Sequence, residues 1–66
     1  MLTLFVNTVG LEEAYRIENL TEKELKSNIG QIEMGKGWLK YTDLAGHKIA
    51  INCKYIVSYC YEVRKQ

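Results

Sequence analysis

The stretch Leu20-Thr21-Glu22-Lys23-Glu24-Leu25 constrains this chain more tightly than any other. With Thr21 at a helix N-cap, its hydroxyl can accept from the Glu24 backbone N–H at N3. The Glu24 carboxylate can accept in return from the Thr21 N–H. The same count puts Leu20 at N′ and Leu25 at N4, the two positions of a hydrophobic staple. Two independent start signals therefore fall on one residue. Leu25, Ile29 and Ile32 follow at i, i+4 and i+7, which predicts one buried stripe on a helix over about residues 22–33. Gly30 costs such a helix about 1 kcal/mol relative to alanine. Either Gly30 or Gly35 can end it as the C′ residue.

Both flanks read as strand. Leu2, Leu4 and Val6 alternate with Thr3, Phe5 and Asn7, and Asn7-Thr8-Val9-Gly10 supplies turn residues. Residues 11–19 fit two patterns. As a strand they place Tyr15 and Ile17 on one face; as a helix they use Glu12, Glu13 and Ala14, all good formers. A helix start at Thr21 forces a break near Asn19 and leaves that second helix only two turns, so the hairpin is preferred. Beyond Gly35-Lys36-Gly37, strands are expected at 38–42, 47–52 and 55–63, with a turn at Asp43-Leu44-Ala45-Gly46. The expected fold is a single α+β domain over residues 1–66: an N-terminal β-hairpin, one central α-helix and a C-terminal three-stranded antiparallel meander.

A chain of 66 residues buries only about 60% of its unfolded surface, so domains of this size often draw on disulfides, metals or a partner subunit. Two cysteines and one histidine supply little of the first two, which makes self-association the expected aid. Nine basic residues against eight acidic ones exclude a blanket polyanion binder. The charge is uneven, however. Residues 1–20 are net acidic, whereas residues 37–66 are net basic and hold Trp38 and four of the five tyrosines. No apolar run approaches the roughly 20 residues of a membrane span. The first residues lack a basic region, a long apolar core and a cleavage site, so no signal peptide is expected. A reducing cytoplasm is the expected compartment.

Candidate chemistry is sparse. His47 follows a turn and reads as a solvated imidazole. Cys53 and Cys60 do not form a Cys-x-x-Cys pair, and with one histidine they fall short of a tetrahedral zinc site. Cys53 reads as a turn residue and Cys60 as a half-buried packing residue. Glu22 and Glu24 are explained by the positive end of the helix macrodipole. Gly35-Lys36-Gly37 has neither the spacing nor the trailing Ser/Thr of a P-loop. Neither enzyme chemistry nor a cofactor or metal is expected, and Thr21 and Glu24 are assigned a structural capping role.

Two surfaces remain. The first is Tyr55, Val57, Tyr59 and Tyr61, alternate positions of a long, proline-free run. At a sheet edge such a run invites pairing with another chain, and tyrosines suit interfaces. The alternative is that Leu2–Val6 covers the run within one chain. The second is Lys36-Gly37-Trp38-Leu39-Lys40-Tyr41, which resembles the Lys-Gly-aromatic strand of RNA-recognition-motif domains and cold-shock proteins. The resemblance implies base stacking by Trp38 and Tyr41 flanked by Lys36, Lys40 and Lys48, and the nucleic-acid reading adds Lys54 and the C-terminal Arg64 and Lys65 as further bases. Trp38 and Tyr41 stand an odd number apart, however, which puts them on opposite faces of one strand. A core position for Trp38 is the simpler expectation.

The succession of apolar N-terminal strand, Asn-Leu-Thr-Glu-Lys-Glu-Leu, Gly-Lys-Gly-Trp-Leu, Asp-Leu-Ala-Gly and Ile-Ala-Ile-Asn is similar to small phage and prophage proteins of Gram-positive bacteria. That resemblance implies an accessory protein that binds a macromolecule, as a modulator of a host protein in the host cytoplasm. Gly30 through Tyr59 also resembles Sm-like RNA-binding proteins, with Lys54 at their basic turn position. No histidine follows Lys54, and the helix stands in the middle of the chain instead of at its start. The expected function is thus a non-enzymatic binding protein acting through protein–protein contacts, including contacts with itself. Nucleic-acid binding and small-ligand sequestration by an oligomer are the alternatives.

Overall fold

The computed structural model describes residues 1–63. In chain order it contains β1 (Leu2–Thr8), β2 (Tyr15–Leu20), α1 (Glu22–Met34), β3 (Trp38–Thr42), β4 (Lys48–Asn52), a 3-10 turn (Cys53–Tyr55) and β5 (Ile56–Val63). The order of strands in the main sheet is β2-β1-β5, all antiparallel, and β3 and β4 form a separate hairpin. The α+β class, the N-terminal hairpin and the single central helix match the expectation.

Helix α1 begins where its cap chemistry puts it. The Glu24 N–H donates to Thr21 Oγ1 at 3.2 Å, and the Thr21 N–H donates to Glu24 Oε1 at 3.0 Å. Gly35, not Gly30, ends it: Gly35 takes φ 69° and its N–H donates to the Ile32 carbonyl. Stopping at Gly30 would have removed Ile32 from the buried stripe. Leu25 and Ile32 instead join Leu4, Val6, Ile17, Leu20, Leu39, Ile51 and Cys53 in one core. Leu4 and Val6 are fully buried, and burying such a side chain stabilises the fold by about 1.5–3 kcal/mol.

Ile17 and Leu20 are three residues apart, so a regular strand would send them to opposite faces. Both are buried. The register explains it: Leu4 pairs with Ile17 but Leu2 pairs with Leu20, so Glu18 and Asn19 together oppose Thr3. This is a β-bulge, and Asn19 takes φ 59° within it. Asparagine is among the few residues that tolerate this left-handed conformation. The bulge turns Leu20 inward just before the cap, where the staple with Leu25 needs it.

The expected C-terminal meander is not formed. β4 leads into the 3-10 turn, held by an N–H···O bond from Cys53 to the Gly37 carbonyl and by the Asn52 side chain accepting from the Lys54 N–H. The chain then crosses to the far side of β1, where Leu2 to Thr8 pair with Val63 back to Ile56. The physical reason lies in β1. Leu4 and Val6 on its inner face are fully buried, and a strand so placed needs a neighbour on both edges to pair its backbone groups. β2 can fill only one. Cys53 is the turn residue expected but is buried, and Cys60 is exposed where half-burial was expected.

Candidate functional site

β5 forms one edge of the main sheet, with β1 as its strand neighbour. The opposite edge strand, β2, is flanked by the hairpin: Glu18 shares clefts with Tyr41 and Thr42. β5 has no such companion among the described residues. β1 covers one side of the tyrosine run within the chain, and the other side lies at the edge of the sheet.

The four candidate interface residues separate into two groups. Tyr59 and Tyr61 lie opposite Val6 and Leu4, on the same face as Val63, which lies opposite Leu2. This is the face of the sheet on which the core is built. Tyr55 belongs to the 3-10 turn, where Lys54 Nζ stands 5.9 Å from its ring centre. Val57 is the extra residue at a second register shift, between the Asn7–Ser58 and Thr8–Ile56 pairs. Asn7 Nδ2 donates to Ser58 Oγ at 3.1 Å beside it. Exposure is high for residues so apolar: Val57 is 63% exposed, Tyr61 54% and Val63 68%.

α1 explains that exposure. The helix packs over β1, β2 and β3; on the inner face of β5, Ile56 and Tyr59 pack against the core, and the end at Tyr61 and Val63 is left exposed. The space left between the helix and this end of β5 is a groove of about 540 Å³, walled by Leu2, Leu20, Leu25, Ile29, Tyr61 and Val63, with Glu22 and Lys26 on its rim. The two rim residues stand 3.7 Å apart as an exposed ion pair. An apolar groove of this size beside a free strand edge offers two kinds of grip at once. A partner can donate a strand to β5 and seat side chains in the groove. The helical stripe from Leu25 through Ile29 signals the groove in the sequence; its second wall depends on the β1–β5 pairing and carries no local sign.

The hairpin corrects the expectation for Trp38. Its side chain is 57% exposed, not in the core. Leu39 and Ile51 face inward, and the pairs Trp38–Asn52, Lys40–Ala50 and Thr42–Lys48 make the opposite face. Tyr41 turns inward as its odd spacing from Trp38 requires, and burial raises its hydroxyl pKa, with smaller contributions from Tyr15 and Asp43. The structure therefore separates Tyr41 from Trp38 but brings Trp38, Lys40 and Lys48 onto one solvent-facing surface. Lys54 stands apart on the 3-10 turn, and Arg64 and Lys65 lie outside the described residues.

Asp43 and His47 are tied together in one turn. Asp43 Oδ1 accepts from the Ala45 and His47 N–H groups at 3.0 and 2.8 Å, and His47 Nδ1 lies 3.3 Å from Asp43 Oδ2. The His47 N–H is the chief reason the Asp43 carboxyl titrates below its ordinary range. The imidazole stays 77% exposed, in keeping with a solvated turn residue. Burial raises the Cys53 thiol pKa, which disfavours the thiolate. Among the described residues, no three His, Cys, Asp or Glu side chains gather to hold a metal, and no helix is long and apolar enough to cross a membrane.

No known protein family, no curated protein and no solved structure matches this chain.

Proposed function

We propose that this protein is a non-enzymatic binding protein that works by protein–protein contact along β5. The observation that carries the reading is the edge position of β5, with Val57 exposed towards one end and Tyr61 and Val63 exposed beside an apolar groove at the other. An edge strand of eight residues whose one charged side chain is Glu62 is a hazard when left open, and folds usually blunt it with lysine, proline or a covering loop. Keeping it open is consistent with use. The contact serves self-association and, on the resemblance to phage proteins, the modulation of a host protein in the cytoplasm. The test pairs solution mass with capture from host lysate, for the wild type and for Val57→Lys and Tyr61→Lys. Both positions are exposed, so the variants are expected to fold, as circular dichroism will show. Association of either kind is expected in the wild type and is lost in both variants. Association that persists in both overturns the reading.

A second reading is favoured by Trp38. An exposed tryptophan next to Lys40, with the small Ala50 opposite Lys40 and Lys48 further along the same face, is a platform on which a base can stack while the lysines meet phosphates. The smallness of the patch, with two lysines on the hairpin face, keeps it second. Oligonucleotide binding that weakens with salt and is lost in Trp38→Ala would support it, whereas no binding at low salt removes it.

A further inference from the structure

We propose that the occupant of the β5 edge is a second copy of this chain, paired antiparallel about a two-fold axis to make one six-stranded sheet. The inference rests on the reading of β5 as a contact strand and goes further by naming the partner and the geometry.

Symmetry carries the first part of the argument. Identical strands that pair antiparallel within one sheet are related by a two-fold axis normal to that sheet, so both inner faces end on the same side. The order of strands becomes β2-β1-β5 followed by β5-β1-β2 of the partner. Each α1 lies over its own β1 and β2, which leaves a bare lane down the middle of the joined sheet. Tyr61 and Val63 of each copy, both exposed, fall in that lane, with the half-buried Tyr59 at its border. The second copy thus covers the apolar surface that Tyr61 and Val63 leave exposed in the single chain. Each groove, open on the β5 side in one chain, gains a wall from the other. A contact of this kind is isologous and closes on itself, so it ends at a dimer and does not run on into fibres.

The scale agrees. Eight residues at about 3.3 Å each make a strip roughly 26 Å long, against a longest molecular dimension of 32 Å. A standard interface takes about 800 Å² per partner, about a sixth of the 4935 Å² of surface here. Strand pairing plus closure of both grooves falls at or below that size. The dimer is therefore expected at micromolar chain concentrations and above.

The strand carries its own reporter. Cys60 is exposed, near the middle of β5, on the face away from the groove and opposite Phe5. If the axis passes at Cys60, the two Cys60 residues oppose one another. Their Cα atoms are then about 4.5–5.5 Å apart, within disulfide range. If it passes at Tyr59, Cys60 opposes Ser58 of the other copy and Ser58→Cys supplies the bridge. The experiment combines sedimentation at about 100 µM, where a low-end interface is populated, with diamide oxidation, which joins two thiols and is itself reduced to the hydrazide. A dimeric mass is expected. A disulfide dimer is also expected, either in the wild type or in Ser58→Cys, and is abolished by Cys60→Ser in the former case. Tyr61→Lys is expected to be monomeric and folded, with Val57→Lys as the second variant. A monomeric wild type at that concentration overturns the dimer. So does a dimer that survives Tyr61→Lys and Val57→Lys and forms no disulfide in either background, since its interface is then elsewhere. A monomer that still captures a host protein through β5 leaves the binding function standing while the two-fold dimer falls.

Discussion

At the residue scale the clearest physics is the reciprocal cap at Thr21. The Thr21 N–H, and after it the Thr21 hydroxyl, lower the Glu24 carboxyl pKa below its ordinary value. A carboxyl whose folded pKa lies below its unfolded one adds stability above the unfolded value. That contribution disappears as pH falls through the folded value. Glu24 is exposed, so the contribution is small and partly screened. Thr21→Ala is expected to cost about 1 kcal/mol near neutral pH in a urea titration followed by circular dichroism. The difference between wild type and variant should shrink as pH is lowered below the ordinary carboxylate range. Thr21→Ala keeps the backbone N–H that Glu24 accepts from, so a difference that stays constant down to full protonation would mean that the charged Glu24 gains nothing from the Thr21 hydroxyl. Asn19 shows the same economy of scale: one residue that accepts φ 59° decides whether Leu20 faces the core or the solvent.

At the element scale, the joint between α1 and β3 depends on Gly37. It takes φ 83°, and a Cβ built on it would stand 2.7 Å from Gln31 Nε2. That same nitrogen donates to the Lys36 carbonyl at 2.9 Å, while the Gly37 carbonyl accepts from Cys53 and so ties the helix exit to the β4–β5 turn. Gly37→Ala is expected to destabilise by about 1–2 kcal/mol from the left-handed backbone alone, with displacement of Gln31 added. Gly30→Ala, in the exposed middle of α1 with nothing within 4 Å, is expected to stabilise by up to about 1 kcal/mol. Chemical denaturation of the two variants side by side separates the roles, and equal shifts would contradict them. These elements also show what the sequence made legible. The start of α1, the Asp43–Gly46 turn and the inward faces of β1 and β4 follow from local chemistry, and all were readable. The destination of β5 was not, because it depends on which distant strand edge is left open once β2 and the hairpin have taken their places. The exposure of Trp38 is not legible for a related reason: its face is set by the register of Leu39 and Ile51 against the core, and both faces of β3 carry apolar side chains. The groove inherits both difficulties, since one wall is local and the other is not.

At the scale of the whole molecule, a 66-residue chain has a small core and a correspondingly small margin of stability. Much of its apolar surface stays outside: Met1, Val57, Tyr61 and Val63 are all half or more exposed, and they belong to β5 or to the groove beside it. Covering that surface with a second copy would make association part of the folding free energy, so stability would depend on chain concentration. Once the dimer is populated, a tenfold rise in concentration adds about 1.4 kcal/mol per dimer, or about 0.7 kcal/mol per chain. For a domain of this size that corresponds to an upward shift in Tm of roughly 3–6 °C. Differential scanning calorimetry over a hundredfold range of concentration is therefore expected to show a Tm that climbs for the wild type. In Tyr61→Lys the Tm is expected to be lower and flat. A wild-type Tm independent of concentration would mean that the single chain reaches its full stability alone, and that the apolar strip along β5 does not serve the fold.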